Sequence, residues 1–368
     1  MNPAEADARS AAPLSLWVVP VPEIGGVARH VLDVLAVGLP GVRLALLCPE
    51  GPLAQEARTL GAAVFTGDFG PAAGLRASVS TLRRHVRALR PDLVHTHLAY
   101  ADLVAAIVLA TDRRTALIST EHGIAPDNSL YNSHPLAARV KNAAHRLRFR
   151  RTQHVIAVCE STRQVLQNKW APPCPITVVR NGVDIDAVRA AATAPRRSTG
   201  EGLRVLSLSR LAPEKGLDVL LTAFARLREY DQHATLTIAG TGDLLGVLQE
   251  HTDQLGVAEA VSFPGFVEPW TTMAHHDVLV QLSAWENLSY SLLDAAAAEM
   301  PAVATDVGGN GEILPAEHLV PTGDPTAVLA AVTRATAKGA GTGHADDREA
   351  MVRTLAKLTL DVSERGQR

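Results

Sequence analysis

The sequence predicts an α/β protein made of two doubly wound parallel-sheet domains, and three observations lead to this fold class. Short apolar runs rich in β-branched residues alternate with segments of helical periodicity along the whole chain. The 368 residues, 47% of them apolar, exceed what one hydrophobic core usually holds. Residues 1–199 carry a net charge of +8 and residues 200–368 a net charge of −11. This charge shift divides the chain near residue 199.

The candidate strands are distributed over both halves of the chain. The first half reads LSLWVVP, RLALLCP, DLVHTH, ALIST, HVIAVC and ITVVR, and the second reads LRVLSLS, ATLTIAG, AVSFPG, VLVQLS and PAVATD. Strand–helix alternation favours βαβ units whose ligands bind beyond the carboxyl ends of the strands. We therefore expect domains at residues 1–199 and 200–345 that face a central cleft. Residues 346–368 are expected to form a helix that packs back on the first domain.

Composition excludes several classes of protein. No apolar run reaches the roughly 20 residues that span a bilayer, and the N-terminus lacks the positive start of a secretory signal. Three widely spaced cysteines favour core thiols over a disulfide framework. Aromatic residues make up only 4% of a chain with net charge −3, which argues against nucleic-acid recognition. We expect a cytoplasmic protein.

Arg210 and Lys215 are the first candidate binding residues. They follow the strand LRVLSLS directly and precede the helical segment GLDVLLTAF. A guanidinium fork, an ammonium group and the free amides of a helix start together suit a phosphate or diphosphate. A solvated surface pair is the alternative interpretation.

Gly240 occupies the turn between a strand and a helix in the segment IAGTGDLL. A glycine here allows a ligand to approach the backbone closely, although a plain tight turn explains it equally well. The segment lacks the third glycine of the dinucleotide fingerprint G-x-G-x-x-G. An NAD-linked oxidoreductase therefore stays only an alternative.

Two acids flank the start of a buried, alanine-rich helix in residues 283–301. Glu286 stands just before the helix and Asp294 lies inside it. The first turn is expected to offer amides near Asn287, Leu288 and Ser289. A buried carboxylate is costly unless it is paired or used, and carboxylates accept hydrogen bonds from vicinal hydroxyls. A capping role at the helix start would explain Glu286. It would not explain Asp294, which lies inside the helix.

In the first half, Gly25 and Gly26 lie where the first strand meets the first helix, and a turn without side chains can fold over a phosphate or sugar. His122 ends another strand and is expected at the cleft. A metal site is one interpretation of four other histidines, His95, His97, His275 and His276. We expect no metal site, because no acid or cysteine stands at zinc-site spacing from them.

Two basic segments, residues 82–90 and 139–151, fall on predicted helices. A solvated face is the ordinary interpretation. The alternative is a surface attracted to anionic lipid headgroups, which allows peripheral contact with the inner face of a membrane.

The ordered motifs GGVARH, PDLVHTH, STEHG, VIAVCEST, NGVD, SRLAPEKG, IAGTGD, FPGFV and ENLSYSLLDA resemble the retaining glycosyltransferases of family 4 over nearly the whole chain. The resemblance implies a GT-B fold of two Rossmann-like domains and an enzyme of class EC 2.4. It implies transfer of a hexose-type sugar from a nucleotide-diphosphate sugar to an unknown acceptor, such as a lipid carrier, a metabolite or a glycan. It also implies retention of configuration and no metal or other cofactor.

The same resemblance implies roles for individual residues. Arg210 and Lys215 would hold the diphosphate, Glu286 the donor-sugar hydroxyls and Asp294 the ribose. The amides of residues 287–289 would face sugar or phosphate, and the backbone around Phe266 and Val267 would meet the base. His122 would lie beside the donor sugar and Gly26 near the phosphate or acceptor. The family usually has Glu where this chain has Asp294, which is one methylene shorter.

The acceptor is not specified by any pattern in the first half, including the segment of residues 122–136. A non-catalytic sugar- or lipid-binding protein remains the second functional alternative, because a fold does not establish activity.

Overall fold

The computed structural model describes residues 12–124, 135–192, 202–337 and 343–366. The chain divides into two compact units, Met1–Asn181 with Arg348–Arg368, and Gly182–Asp347. The first unit thus ends at Asn181, earlier than the expected boundary at residue 199. The reason is that the chain forms strand and helix contacts within the second unit directly after Asn181. The boundary expected near residue 199 lies outside the described residues.

The first unit is a seven-stranded parallel sheet with strand order β3-β2-β1-β4-β5-β6-β7. Its strands are β1 (Leu14–Val18), β2 (Arg43–Cys48), β3 (Ala63–Thr66), β4 (Leu93–His97), β5 (Ala116–Glu121), β6 (His154–Ala157) and β7 (Ile176–Val178). The helices between them are α1 (Gly26–Val37), α2 (Pro52–Thr59), α3 (Leu75–Leu89), α4 (Ala99–Val108), α5 (Pro135–Phe149) and α6 (Glu160–Lys169). The strand order reverses between β1 and β4, so the crevice for a ligand is expected at their carboxyl ends.

The second unit contains a six-stranded parallel sheet with order β11-β10-β9-β12-β13-β14 and a two-stranded parallel pair, β8 with β15. The strands are β8 (Gly182–Val183), β9 (Arg204–Leu208), β10 (Thr235–Ala239), β11 (Val261–Ser262), β12 (Val278–Gln281), β13 (Ala302–Thr305), β14 (Leu319–Val320) and β15 (Asp346–Asp347). The helices are α7 (Ile185–Ala191), α8 (Leu217–Tyr230), α9 (Leu245–Gln254), α10 (Pro269–Ala274), α11 (Tyr290–Ala297), α12 (Asn310–Ile313) and α13 (Pro325–Ala337). In the six-stranded sheet the strand order reverses between β9 and β12.

The central strands β4, β5, β12 and β13 are buried on both faces because helices cover the sheet on each side. In β1, Trp17 belongs to one apolar cluster and its neighbours Leu16 and Val18 belong to the opposite one. Such alternation of packed faces is what a doubly wound sheet requires. In the second unit, Leu220 and Phe224 of α8 and Val328 and Val332 of α13 pack together against the sheet.

The last helix, α14 (Arg348–Gly366), belongs to the first unit. Its buried residues Met351, Val352, Leu355 and Val362 join the same apolar cluster as Trp17. The helix contacts α1 and β5. The sequence analysis did not predict four strands, β3, β8, β14 and β15. Of these, β3 and β14 are edge strands of the two large sheets. Both are short, with four and two residues, and β14 offers no alternating pattern.

Candidate active site

The site of the second unit forms where the carboxyl ends of neighbouring strands meet. The chain after β9 (residues 210–216) and the chain after β12 (residues 282–286) are tied by an Ala284 amide that donates to the Glu214 carbonyl at 2.7 Å. Gly216 has φ +60°, and a Cβ there would lie 2.3 Å from the Leu282 carbonyl oxygen. Only glycine therefore fits at this crossing.

Lys215 and Glu286 are the centre of this site. Lys215 Nζ lies 2.8 Å from Glu286 Oε2, and the two side chains are 15% and 19% exposed. Gln281 Nε2 donates to the same Oε2 at 3.0 Å and Ser283 Oγ at 3.1 Å. Within the described part of the chain, no hydrogen bond is made by Oε1 of Glu286. The carboxylate is thus held by one oxygen.

The glycine turn that follows β13 packs against the loop that carries Glu286. Gly308 has φ +56°, and a Cβ at this position would lie 1.8 Å from the Glu286 carbonyl oxygen. The Gly309 amide donates to the Asn287 carbonyl at 2.6 Å, and Thr305 Oγ1 donates to the Ser283 carbonyl at 2.6 Å. This turn therefore serves to position the loop that carries Glu286.

Arg210 is the exposed cation of the site. Its side chain is 71% exposed and its Nη2 lies 2.6 Å from Glu214 Oε1. Lys215 ends a short 3₁₀ helix, Pro213–Lys215, directly before α8. The two predicted phosphate-binding side chains thus follow the same strand, but Lys215 is engaged with Glu286, whereas Arg210 extends toward solvent.

The helix after Glu286 begins later than the sequence analysis expected. Ser289 is its N-cap and accepts a bond from the Leu292 amide, so Asn287 and Leu288 precede the helix and do not form its first turn. The cap arises because serine favours this position over the helix interior. Ser289 Oγ also donates to Gln281 Oε1 at 2.6 Å, which links the cap to the Gln281 amide that contacts Glu286. Asp294 is 1% exposed, and its ribose contact stays a prediction.

In the turn after β10, contacts with the chain's own backbone account for a glycine at position 240. Gly240 has φ +144°, and a Cβ would lie 1.9 Å from the Ser209 carbonyl oxygen. Its amide donates to the Gly265 carbonyl at 2.8 Å, which brings the segment before Phe266 and Val267 next to this turn. Phe266 is 77% exposed. Its contact with a base, like a ligand role of Gly240, stays a prediction.

In the first unit, the glycine turn before α1 is open. Gly25 has an extended backbone with φ −172°, and a Cβ there would have nothing within 4 Å. The chain itself therefore does not require a glycine at this position. A phosphate or sugar contact of Gly25 and Gly26 stays a prediction.

His122 belongs to a compact cluster of aromatic rings. His97 Nδ1 lies 2.9 Å from His122 Nε2, and the two rings stack with centroids 5.1 Å apart. His30 of α1 lies edge-on to His122 at 4.8 Å. Trp17 contacts His95 and His97, each with centroids at 4.6 Å. The sequence analysis singled out His95, His97 and His122 but missed His30 and Trp17.

Burial keeps these imidazoles neutral. It lowers the pKa of His30 to about 4 and the pKa of His95 to about 3, although the hydrogen bond to Asn181 partly opposes the shift of His30. Burial also holds the pKa of His97 and of His122 well below the usual range. At neutral pH each ring therefore offers one nitrogen lone pair.

A buried ion cluster lies directly before His122. Arg148 pairs with Asp102 and, at 2.5 Å, with Glu121 Oε1, and all three side chains are at most 3% exposed. Ser119 Oγ donates to Asp102 at 2.7 Å. Burial raises the pKa of Glu121 to about 8. The cluster fixes the end of β5 and thereby the backbone that leads into His122.

Comparison with known proteins places the chain in a family. The profile of Glycosyl transferases group 1 matches residues 191–353, and that of Glycosyltransferase Family 4 matches residues 24–187. A glycogen synthase of Mycobacterium tuberculosis is 30% identical over 329 residues, which cover 80% of this chain and 78% of that protein. The chain belongs to glycosyltransferase family 4. The predicted family is thereby confirmed, and the protein is a glycosyltransferase.

Two further relatives extend this comparison. A GDP-mannose-dependent alpha-(1-6)-phosphatidylinositol monomannoside mannosyltransferase of Mycobacterium tuberculosis is 34% identical over 177 residues, which cover 44% of this chain and 46% of that protein. The crystal structure of Anabaena HepE in complex with UDP-glucose matches this family 4 enzyme with a TM-score of 0.75 at 20% identity. That match covers 95% of this chain and 99% of HepE. The predicted GT-B fold of two parallel-sheet α/β domains is confirmed. Among the described helices, none combines the length and apolar character that crossing a bilayer requires.

Proposed function

We propose that this glycosyltransferase moves a hexose-type sugar from a nucleotide-diphosphate sugar to an acceptor, with retention of configuration and without a metal ion in the transfer step. The single observation that carries the proposal is the Lys215–Glu286 pair, 2.8 Å apart where the strand order reverses between β9 and β12. It sets a cation beside a carboxylate whose second oxygen is available. A donor that carries both a diphosphate and a hydroxylated sugar matches this pair of groups.

The cations perform the electrostatic part of the reaction. Negative charge grows on the diphosphate as the bond from the anomeric carbon to the phosphate oxygen breaks. Lys215 and the exposed guanidinium of Arg210 stabilise this charge, a task for which many phosphoryl and glycosyl enzymes use a metal ion. Glu214, which lies 2.6 Å from Arg210, gives up that pairing when the diphosphate binds.

Glu286 performs the positioning part. Its Oε2 accepts bonds from Lys215, Gln281 and Ser283, so the carboxylate is fixed before a ligand arrives. Its Oε1 accepts a bond from a donor-sugar hydroxyl and thereby orients the ring. On this proposal Glu286 is not a covalent nucleophile, in contrast to the carboxylate of a retaining glycosidase.

Retention follows from attack on the face that the diphosphate leaves. The acceptor hydroxyl oxygen forms the new bond to the anomeric carbon, and the departing phosphate oxygen takes the hydroxyl proton. We place His122 beside the donor sugar, and Gly25 and Gly26 next to phosphate or acceptor. The relatives support a nucleotide donor, since HepE was crystallised with UDP-glucose and the mannosyltransferase depends on GDP-mannose. The proposal does not specify the base or the sugar of the donor.

The test combines donor binding with product formation. Thermal shift is measured with UDP-, GDP- and ADP-sugars and with NAD, and products are identified by mass spectrometry with cell extract as the acceptor pool. We expect one sugar nucleotide to raise the melting temperature and to be consumed at an equal rate with EDTA. Stabilisation by NAD alone contradicts the proposal in favour of an oxidoreductase. Stabilisation by a sugar nucleotide without turnover favours a binding protein.

Substitutions in the site test whether its residues contribute to sugar transfer. Glu286→Gln is expected to lower transfer by about 10²-fold or more, since misplacement of a bound substrate costs about that much. Lys215→Met is expected to cost about 10²–10³-fold in kcat, as does the loss of one charge-stabilising donor. The exposed acid Glu250 lies on α9, and Glu250→Gln serves as the control with an unchanged rate. Full activity of Glu286→Gln refutes the assigned site.

A basic face on the first unit supports peripheral contact with an anionic membrane, where a lipid acceptor would be found. Arg76, Arg83, Arg84 and Arg87 of α3 line one surface cavity of about 630 Å³. None of them has an ion-pair partner among the described residues. Flotation with vesicles that contain anionic lipid measures this contact. Binding that persists after all four arginines are changed to Gln excludes α3 as the contact surface.

A further inference from the structure

Three histidines from three different elements converge at the end of the first sheet. His30 lies on α1, His97 ends β4, and His122 follows β5. One nitrogen of each ring lies within 4.8 Å of the corresponding nitrogens of the other two. They meet where the strand order reverses between β1 and β4, so chain topology brings them together although up to 92 residues separate them in sequence.

The spacing of the rings matches a shared metal ion. Their centroids lie 4.8 Å apart for His30 and His122, 5.1 Å for His97 and His122, and 5.8 Å for His30 and His97. With metal–nitrogen bonds of about 2.0–2.1 Å in tetrahedral geometry, three coordinating imidazoles have centroids about 5 Å apart. Small rotations of the side chains are enough to reach that arrangement.

The surroundings of His30 prepare it as a ligand. His30 Nδ1 lies 3.1 Å from Asn181 Oδ1, an atom that only accepts, so the ring proton is on Nδ1. The lone pair is then on Nε2, a fully buried atom with no hydrogen-bond partner in the described part of the chain. Metal-binding histidines are usually oriented by such a bond from the opposite nitrogen.

His97 and His122 present two nitrogens to each other. Nδ1 of His97 and Nε2 of His122 are 2.9 Å apart, and two lone pairs do not face each other at that distance without a proton or cation between them. In the metal-free protein one ring donates its proton to the other. When a cation binds, that proton moves to the far nitrogen of the same ring, and both facing lone pairs coordinate.

We propose that His30, His97 and His122 form a binding site for one Zn²⁺-class transition-metal ion in the first unit. Imidazole nitrogens suit zinc, copper and nickel better than magnesium or calcium. Three protein ligands leave a fourth position for water or an anion, and His122 is the least buried of the three. The ion is not the electrophile of the transfer reaction, a role that Arg210 and Lys215 fill.

The experiment measures metal binding alone, so it needs neither donor nor acceptor. Purified full-length chain without a histidine tag is titrated with Zn²⁺ in competition with a chromophoric chelator, and with Co²⁺ to record its visible absorption. We expect one equivalent of each ion and the intense visible bands of tetrahedral cobalt. His30→Gln or His122→Gln is expected to weaken binding by more than about 10-fold, and Asn181→Ala by about 10–100-fold, as for other residues that orient a ligand.

His95→Gln is the matched control. His95 is equally buried and stacks on His97 at 4.7 Å, but its Nε2 is occupied by Thr120 Oγ1 at 2.7 Å. This variant is expected to keep one bound equivalent and the cobalt spectrum. Each variant is checked by circular dichroism, and the wild-type cobalt spectrum tests the site without any substitution. Absence of tight binding to wild type, or binding that survives His30→Gln and His122→Gln, overturns the proposal.

Discussion

At the residue scale, the site depends on close contacts between backbone and side chain at a few positions. Glu286 is held through one carboxylate oxygen by three donors, which are Gln281 of β12, Ser283 of the loop after it and Lys215 of the 3₁₀ helix after β9. Gly216, Gly240 and Gly308 each adopt a positive φ, and each lies against a carbonyl oxygen of a neighbouring segment. These glycines are therefore required by the packing of the loops, independently of any ligand.

Gly308→Ala is expected to displace the Glu286 loop, because the new Cβ would lie 1.8 Å from the Glu286 carbonyl oxygen. We expect transfer to fall by about 10²-fold, as for a misplaced catalytic group. Gly256→Ala is the matched control, since Gly256 has φ +68° but nothing within 4 Å of a Cβ. It introduces similar backbone strain, and its transfer rate per folded molecule should equal that of wild type. Equal losses in both variants would show that strain alone is responsible.

The buried histidines predict a pH dependence of stability. The pKa of His30 is lowered to about 4 in the folded state, so the unfolded chain binds more protons between about pH 4 and 6.5. The unfolding free energy should therefore rise with pH across this window. His30 contributes about 3 kcal/mol, because each pKa unit is worth about 1.4 kcal/mol.

Urea unfolding at several pH values, with a chelator present, measures this dependence. His30→Gln should flatten the slope between pH 4 and 6.5, whatever it does to stability at neutral pH. An unchanged slope in His30→Gln would mean that His30 is protonated to the same extent in both states.

At the element scale, Arg210, Lys215 and Glu286 each follow the carboxyl end of a strand, and parallel pairing brings those ends together. This is why the sequence analysis identified Arg210, Lys215 and Glu286: turn residues after an apolar run are visible in sequence. The Lys215–Glu286 contact was not predictable, because it depends on β9 pairing with β12, 73 residues further along the chain. His30 was missed because a lone histidine on an apolar helix face resembles an ordinary core residue.

The N-cap of α11 is expected to contribute to activity as well as to stability. Ser289→Ala removes the cap, at a typical cost of about 1 kcal/mol, and it also removes the bond that holds Gln281 against Glu286. Asp324 accepts bonds from the Thr326 and Ala327 amides at the start of α13. Asp324→Ala is the control with a comparable loss of stability.

Both variants are compared by urea unfolding and by transfer kinetics. We expect similar losses of unfolding free energy, and a fall in kcat for Ser289→Ala alone. If the two kcat values agree, the bond from Ser289 to Gln281 has no part in positioning Glu286.

At the scale of the whole molecule, the two units and their parallel sheets followed from strand–helix alternation and from chain length. The limits of the units did not follow from the sequence. The net charge changes near residue 199, whereas the chain leaves the first unit at Asn181. Charge reports on surface composition, while unit limits are set by contacts. The two-residue strands β8 and β15 carry too few residues for any periodic signal.

The first unit should require its C-terminal helix. Deletion of residues 348–368 exposes apolar surface around Trp17 that Met351, Val352, Leu355 and Val362 cover. Each buried side chain of this size is worth about 1.5–3 kcal/mol, so we expect the first unit to melt at a clearly lower temperature or to aggregate. Arg353→Ala, a substitution on the exposed face of the same helix, should melt like wild type. A truncated chain that retains the wild-type melting temperature would contradict the packing role of α14.

The short ribbon formed by β8 and β15 has a consequence for protein engineering. Asp346 pairs with Gly182 and Asp347 with Val183, so the polypeptide enters and leaves Gly182–Asp347 at points about 5 Å apart, the width of one strand spacing. In its connectivity this segment is a cassette inserted into the first unit. A few residues are enough to bridge the gap left by its excision, because the two junctions are neighbours in one parallel pair.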